Sequence, residues 1–418
     1  MKIVYFNYIY DAVGPLIRTL ELAKASADNG ATVVVYFMRK GFSPSPFILA
    51  RIEQYKSDNL SFRYAYPPII SLSNQGVNTA QQVNISPIPP KTSFIGLLKQ
   101  ALLSLRNVFK ELDILETHKP DAIMARPDDA FSFCISSYIS GIPLVLESDG
   151  PIEELQFFYN VNIKPIKFLD TLRAKSADAV ICISEVCKDL WISKNIDAKR
   201  LFVIPNGANP DEFSPQSLDK HSTLKSQLNI SATKIIGYSG NQRVWHGLGN
   251  LFQSALPYLQ ADKTIKLLII GCGKSISLLD EFKIPVDIAA EQIIFTGRLN
   301  YHDMAKYIDL ADVMVMPYNI LPLFYFSPMR MFEAMSVGKL LICSKQGQMA
   351  DILDERSAVL FFDPNIDGDL TRCLGNVLTN DELIKSGHRN REYLISEHSW
   401  HQRGYDINKA IEFAITNK

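Results

Sequence analysis

The sequence predicts an α/β protein with two domains, each built around a parallel β-sheet with helices on both faces. Short apolar runs alternate with amphipathic segments almost throughout the chain, a pattern typical of parallel sheets with crossover helices. The 418 residues exceed the size of one ordinary hydrophobic core, which favours two domains. The stretch IPNGANPDEFSP at 204–215 is rich in Pro, Asn and Gly and lies between two series of strands, so it predicts the domain boundary.

The predicted strands are the apolar runs, many of which are followed by glycine or proline. In the first domain, residues 1–204, they are Lys2–Asn7, Thr32–Phe37, Ala122–Ala125, Pro143–Glu147, Ala179–Ile183 and Leu201–Ile204. In the second domain, residues 205–400, they are Lys234–Ser239, Lys266–Ile270, Ile293–Thr296, Val313–Pro317 and Lys339–Ser344. A last helix within 401–418 is expected to cross back to the first domain.

The overall charge argues against nucleic acid as a partner. The chain carries 43 basic and 44 acidic residues, a net charge of −1. A protein that holds nucleic acid through its phosphates is usually basic. We therefore expect no nucleic-acid partner.

Cysteine usage and the N-terminus predict a cytoplasmic protein. The six cysteines lie mostly in apolar runs and form no C-x-x-C pair, which indicates buried reduced thiols. Asp11 interrupts the apolar N-terminus, so this segment is predicted as a first strand and not as a signal peptide. No apolar run approaches the roughly 20 residues that a membrane-spanning helix needs.

Residues 94–110 are predicted as an amphipathic helix. Apolar side chains at 94, 95, 97, 98, 101, 102, 105, 108 and 109 fit one face of a helix, and basic residues occupy other faces. Two interpretations stay open. The helix packs on the first sheet, or it makes a peripheral contact with the inner membrane face or with a lipid-linked molecule.

The most informative stretch is PYNILPLFYFSPMRMFEAMSVGKLLICS at 317–344. Ser327 is predicted as the N-cap of a helix and Pro328 as its first residue. The helix is expected at Met329–Val337, ended by Gly338. A helix N-terminus at the exit of a parallel strand offers backbone N–H groups to a phosphate. Glu333, about one turn into the helix, places a carboxylate where sugar hydroxyls could bind.

Four segments in this order resemble the family 4 glycosyltransferases, which have the two-domain GT-B architecture of Rossmann-like domains. They are IPNGANPDEFSP, GYSGNQRVWHGLGNLFQSA, IIFTGRLNYHDMAKYIDLADVMVMPY and SPMRMFEAMSVGKLLICS. The resemblance covers most of the second domain and is looser in the first. It implies a retaining enzyme that moves a sugar from a nucleotide-diphosphate donor to a saccharide or lipid-linked acceptor. Polysaccharide or glycoconjugate biosynthesis would be its context, with no metal and no other cofactor.

The resemblance assigns the acid of the helix. The second acid of the family's Glu-x7-Glu motif binds the nucleotide ribose, and Glu333 matches it. The first acid, which contacts the transferred sugar, falls at Tyr325. A subgroup with Ser-Pro-x-Lys before the acid is similar in this respect, and Ser327, Pro328, Met329 and Arg330 occupy its positions.

The basic pair that holds the diphosphate in the family is altered. Asn241 follows Gly240, and His246 stands where the family has Lys. A variant loop reading Lys-Pro-Trp-His-Gly is similar to 243–247 and carries Arg243 over as the phosphate-binding cation. His246 is interpreted either as a helix cap or as a ligand-binding residue. Arg330 is interpreted as a partner of a Glu or of the phosphates.

In the first domain, Gly14 and Pro15 occupy the place of the family's glycine-rich, acceptor-side loop. Asp149 falls where a catalytic histidine often lies, although Asp-Gly-Pro also favours a simple turn. The resemblance thus gives Arg243, Glu333 and Asp149 as catalytic candidates. The chain lacks an Asp-x-Asp strand end of the kind that metal-dependent transferases use, so no metal site is predicted.

The chemistry that this implies is stabilisation of a leaving diphosphate. Negative charge grows on the phosphate as the glycosidic bond breaks, and fixed cations and amides lower the energy of that state. Because no acid is marked as a covalent nucleophile, same-face attack by the acceptor is the working hypothesis.

Two alternatives remain. The chain is a GT-B nucleotide-sugar epimerase, or a non-catalytic partner of another transferase. The altered residues at 241, 246 and 325 motivate the second.

Overall fold

Two compact units, each with one parallel sheet, make up the described part of the chain. The structure is a computed structural model that describes residues 1–9, 13–68, 94–127, 131–148, 150, 152–153, 164–231, 234–274 and 276–418. Unit 1 comprises Met1–Pro205 with Arg403–Lys418, and unit 2 comprises Asn206–Gln402. Across these ranges no helix is long and apolar enough to cross a membrane.

Unit 1 contains a seven-stranded parallel sheet in its described residues. Its strands are β1 Lys2–Asn7, β2 Thr32–Phe37, β3 Leu60–Tyr64, β4 Ala122–Arg126, β5 Leu144–Ser148, β6 Ala179–Cys182 and β7 Leu201–Val203. The strand order is β3-β2-β1-β4-β5-β6-β7, so the direction of the crossovers reverses between β1 and β4. The sequence missed only β3, an edge strand, among these.

The helices of unit 1 connect successive strands. They are α1 Val13–Asp28, α2 Pro46–Tyr55, α3 Phe94–His118, α4 Ser132–Ser140, α5 Lys164–Ser176 and α6 Glu185–Ser193. Gly14 and Pro15, expected in a loop, lie instead in the first turn of α1. Proline is tolerated there because a first-turn N–H has no intrahelical partner. The Pro15 carbonyl accepts a hydrogen bond of 2.7 Å from Nη1 of Arg126, at the end of β4.

A buried ionic cluster lies below the point where the crossovers of unit 1 reverse. Glu147 of β5 accepts from Arg18 Nε at 2.7 Å and from the Tyr5 hydroxyl, and Arg126 Nη1 lies 3.5 Å from the same carboxylate. Burial acts to raise the pKa of Glu147, but the two guanidinium groups lower it overall. The Arg18 Nη2 group also donates to the Ile204 carbonyl at 2.9 Å. The cluster therefore ties three strands, α1 and the end of unit 1 together.

The predicted helix at 94–110 forms, and it continues to His118 as α3. Val108 and Glu111 are buried against the unit, and Glu111 accepts from the hydroxyls of Ser132 and Ser136 at 2.5 Å each. Phe109, by contrast, is 74% exposed. The helix thus packs on unit 1, as one interpretation expected, and also presents apolar side chains outward.

Unit 2 contains a six-stranded parallel sheet in its described residues. Its strands are β8 Lys234–Ser239, β9 Ile265–Ile270, β10 Ile293–Phe295, β11 Val313–Met316, β12 Leu340–Ser344 and β13 Val359–Phe362. The order is β10-β9-β8-β11-β12-β13, so β8 and β11 are neighbours although two strands separate them in sequence. The edge strand β13 was not predicted.

The helices of unit 2 bury both faces of this sheet. They are α7 Leu218–Gln227, α8 Leu248–Ala261, α9 Ile276–Glu281, α10 Val286–Glu291, α11 Met304–Leu310, α12 Met329–Val337, α13 Gly347–Ile352, α14 Asp369–Leu378, α15 Asp381–Lys385 and α16 His388–Tyr393. Two apolar clusters result, one around Leu268, Met314 and Phe332 and one around Ile236, Leu251 and Val315. All six cysteines are buried and free, as the apolar runs around them predicted.

The last helix, α17 Trp400–Thr416, passes from unit 2 into unit 1. Gly404 lies against the α1 backbone so closely that a Cβ at this position would stand 2.2 Å from the Ala25 carbonyl oxygen. The Ser26 hydroxyl donates a hydrogen bond of 2.5 Å to Oδ1 of Asn408. Residues Arg403–Lys418 are therefore a structural part of unit 1.

Candidate functional site

The loops after β8 and β11 meet at the point where the crossovers of unit 2 reverse. In an open parallel sheet, ligands bind in the crevice beyond the carboxyl ends of the strands at such a point. Gly247 has a φ of +68°, and a Cβ there would stand 1.6 Å from the Pro317 carbonyl oxygen, so only glycine fits. The Asn319 N–H donates to the Trp245 carbonyl at 3.2 Å. The two loops thus form one continuous surface.

The loop after β8 turns at Gly240, whose φ is +134°. Its N–H donates to the Ile270 carbonyl at the end of β9. Asn241 follows, and its carbonyl accepts from the Tyr238 hydroxyl at 2.6 Å. The Asn241 side chain accepts from the Arg243 N–H at 3.2 Å. Gly240 and Asn241 therefore shape the loop through backbone geometry and local hydrogen bonds.

The helix α12 begins and ends almost where the sequence placed it. It spans Met329–Val337, and Gly338 ends it with a φ of +81°. The predicted N-cap is wrong: Pro328 is the N-cap residue, and no side chain caps the helix. The Ser327 hydroxyl instead accepts from the Asn206 N–H at 2.8 Å. Because that hydroxyl is committed to Asn206, the first-turn amides of α12 receive no side-chain cap.

Glu333 lies about one turn into α12 and is only 5% exposed. One of its oxygens accepts a hydrogen bond of 2.8 Å from the Tyr301 hydroxyl. Tyr301 packs edge-on against Phe213, with ring centroids 5.2 Å apart. Tyr301 was missed in the sequence, since nothing in its local pattern marks a contact 32 positions away.

Arg330, on the first turn of α12, reaches across to the loop after β8. Its Nη1 lies 3.4 Å from the Tyr238 hydroxyl, and its Nη2 lies 3.3 Å from each ring nitrogen of His246. Burial acts to lower the pKa of the guanidinium, but the Tyr318 and Tyr238 phenols and the Glu333 carboxylate raise it overall. The group therefore stays charged.

His246 ends a short 3₁₀ turn, Val244–His246, directly before Gly247. It does not cap α8, because the N-cap is Gly247 and no side chain bonds there. Burial, and next the positive charge of Arg330, lower the pKa of the imidazole to about 3. His246 is thus a neutral ring beside a cation.

Arg243 stands on the outer part of the same loop. Its guanidinium lies 5.0 Å from the centre of the Trp245 ring, a cation–π distance. Tyr325 belongs to an aromatic cluster in the loop after β11, with its ring 4.5 Å from that of Phe326. Tyr318 and Phe324 continue this cluster at 5.2 Å. The position of the family's first acid is therefore occupied by packed aromatic structure.

The structure brings Arg330 of α12 into contact with the loop after β8, at Gly240 and His246, and places Glu333 one turn further along the same helix. Asp149 lies outside the described residues. Gly14 and Pro15 lie in unit 1, at the reversal point of its own sheet.

Two family profiles together match most of the chain. The profile described as Glycosyltransferase Family 4 matches residues 16–212, and that described as Glycosyl transferases group 1 matches residues 233–380. The chain belongs to the family 4 glycosyltransferases. This membership confirms the resemblance read from the four sequence segments.

Curated relatives of this chain align with it over part of their length. An Escherichia coli protein named UDP-Gal:alpha-D-GlcNAc-diphosphoundecaprenol alpha-1,3-galactosyltransferase is 25% identical over 266 residues, which are 60% of this chain and 63% of that one. A Corynebacterium glutamicum GDP-mannose-dependent monoacylated alpha-(1-6)-phosphatidylinositol monomannoside mannosyltransferase is 26% identical over 27% of this chain and 29% of its own. The chain thus spans less than two thirds of either relative.

The fold is shared with a solved structure, that of HepE from Anabaena in complex with UDP. The TM-score is 0.70 at 15% identity, covering 99% of this chain and 100% of that one. At this identity the likeness bears on the fold alone, and it confirms the predicted GT-B class.

Proposed function

We propose that the protein transfers a sugar from a nucleoside-diphosphate donor to a saccharide or lipid-linked acceptor, and that unit 2 binds the donor. The observation that carries this is the placement of Glu333 and the uncapped N-terminus of α12 beside the loop 240–247, at the reversal point of a parallel sheet. A carboxylate suits the two ribose hydroxyls, and helix amides with guanidinium groups suit the diphosphate.

The geometry supports a division of roles. Glu333, held by the Tyr301 hydroxyl, would accept hydrogen bonds from the ribose. Arg243 and the first-turn amides of α12 would stabilise the charge that develops on the leaving diphosphate. Gly240, Asn241 and Tyr325 would shape the pocket around it, and Asp149 with the Gly14–Pro15 turn would serve the acceptor from unit 1.

We further propose retention without a metal. The acceptor oxygen would bond to the anomeric carbon on the face from which the diphosphate oxygen departs, and its proton would pass to that diphosphate. Tyr325 in place of an acid supports this course, since no carboxylate stands at that position to form a covalent intermediate. Mass-spectrometric trapping of a sugar on a protein side chain would contradict it.

A lipid-linked acceptor is the finer proposal for the second substrate. The names of both curated relatives specify lipid-linked acceptors. The outward-facing Leu105 and Phe109 of α3 would suit a peripheral contact with the membrane surface where such an acceptor resides. Such a protein would act in glycoconjugate or polysaccharide synthesis at the cytoplasmic face.

The experiment that tests donor binding compares UDP and GDP with their 2′-deoxy and 3′-deoxy analogues. A hydrogen bond to a charged group contributes about 1.5–3 kcal/mol, so the wild type should prefer the ribose form at least tenfold for the base that it accepts. Glu333→Gln should reduce this preference sharply, whereas the exposed control Glu382→Gln should keep it. Equal discrimination by wild type and Glu333→Gln would remove Glu333 from the site.

A further inference from the structure

We infer that Arg330, which contacts the ring of His246, is a second cation for the donor diphosphate, and that His246 is its positioning residue. This inference rests on the proposed function of unit 2. In this proposal, the phosphate-binding role of the family's lysine in the loop after β8 is taken over by a guanidinium from α12.

The position of Arg330 supports this role. It lies on the first turn of α12, where anions are favoured, and its guanidinium crosses to the loop after β8. A Cβ at position 240 would stand 2.3 Å from its Nη1 and 2.4 Å from its Cζ. The glycine at 240 therefore leaves the space that the guanidinium fills, and the cation sits between the two surfaces that flank the reversal point.

The groups that contact the Arg330 guanidinium are uncharged. Within the described ranges its polar neighbours are the Tyr238 hydroxyl and the His246 ring, and the rings of Tyr238 and Tyr318 lie 5.7 and 5.6 Å away. All of these are uncharged at neutral pH. The Glu333 carboxylate, one turn further along α12, raises the pKa of Arg330 through its charge. A partly buried cation with such surroundings is suited to an anionic ligand.

The contact with His246 explains why lysine is absent from that position. The Nη2 group lies 3.3 Å from each ring nitrogen, so it contacts the imidazole as a whole and not one nitrogen alone. The Nδ1 atom of the ring also lies 3.3 Å from the Asn241 carbonyl oxygen. A lysine at 246 would place a second positive charge against Arg330. An uncharged ring instead contacts the guanidinium without repelling it.

The test moves the positive charge between positions 330 and 246 and measures nucleotide binding. Arg330→Met, His246→Lys, the double variant and Arg330→Lys are titrated with UDP, GDP and ADP, each beside its monophosphate. The Kd of the monophosphate divided by the Kd of the diphosphate measures the contribution of the second phosphate to binding. The matched control is Arg372→Met, an exposed arginine on α14 that pairs with Asp369.

We expect Arg330→Met to lower this ratio at least tenfold for the diphosphate that the wild type binds, with monophosphate affinity changed less than threefold. His246→Lys should also lower the ratio, because two cations then compete for one place. The double variant has a single cation again, at position 246, and its ratio should be at least threefold higher than that of Arg330→Met. Arg330→Lys should give a ratio between those of Arg330→Met and the wild type. Rescue by the double variant is a result that a merely structural role would not give.

The contrary outcomes are distinct. The inference is wrong if Arg330→Met keeps the wild-type ratio. It is also wrong if the double variant has no higher ratio than Arg330→Met, provided that both variants give the wild-type circular dichroism spectrum. In either case the proposed donor site stands. If the wild type binds none of the three diphosphates, the proposed function fails and takes the inference with it.

Discussion

The neutral His246 ring predicts a specific loss of stability in mild acid. Its pKa is about 3 in the folded protein, because burial and the charge of Arg330 oppose protonation, whereas an unfolded histidine titrates near 6.5. Between these values the unfolded chain binds a proton that the folded chain does not. Stability therefore falls as the pH drops below about 6.5, at about 1.4 kcal/mol per pH unit, until the folded pKa is reached.

Between pH 7 and pH 5 this linkage amounts to about 2 kcal/mol. The assay is urea unfolding at both pH values, with hydrogen exchange of β8 and β9 peptides to follow unit 2 separately. His246→Gln cannot titrate, so its loss of stability over this range should be about 2 kcal/mol smaller than that of the wild type. Acidic groups such as Asp309, whose lowered pKa also reduces stability in acid, contribute equally to both proteins. Identical pH dependence in the two proteins would refute the assignment of His246 as a buried neutral ring.

The remaining predictions concern a buried acid in each unit. Glu147→Gln should destabilise unit 1 by about 3–5 kcal/mol, because Arg18 and Arg126 then remain buried without their counter-charge; urea unfolding measures this. Tyr301→Phe should weaken the preference for ribose over deoxyribose nucleotides a few-fold, since the Glu333 carboxylate loses the hydroxyl that orients it.

Each of these two variants has an exposed counterpart on the same chain. Glu53→Gln removes an acid whose side chain is 69% exposed and forms a surface ion pair with Lys56, the residue after α2, so the free energy of unfolding should change by less than about 1 kcal/mol. Tyr405→Phe removes the hydroxyl of a half-exposed tyrosine on α17 and should leave the preference for ribose over deoxyribose nucleotides unchanged. A large effect in either counterpart, or none in Glu147→Gln or Tyr301→Phe, would contradict the contacts described.

Every central strand was predicted from the sequence, whereas two of the four edge strands, β3 and β13, were missed. Strands such as β1 and β8 are buried on both faces and therefore form continuous apolar runs in the sequence. The missed strand β3, LSFRY, alternates polar and apolar residues, and three of the four residues of β13 are only partly buried.

In the candidate site, features that depend on neighbouring residues were predicted, and contacts between distant residues were not. The bounds of α12 and the position of Glu333 follow from local signals, because neighbouring residues determine where helices and strands end. The contact between Arg330 and His246 joins positions 84 apart, and the loss of the Ser327 cap depends on Asn206, 121 positions away. Contacts at such separations are set by the assembled sheet, and no short window of sequence contains them.

The return of α17 to unit 1 has a consequence for biosynthesis. Because Gly404 and Asn408 seat against α1, the N-terminal unit is assembled from two stretches of chain with all of unit 2 translated between them. During synthesis, the surface of α1 at Ala25 and Ser26 therefore stays uncovered until residues 403–418 emerge from the ribosome. Unit 1 begins to be translated first, but it completes its fold only after unit 2 has been made.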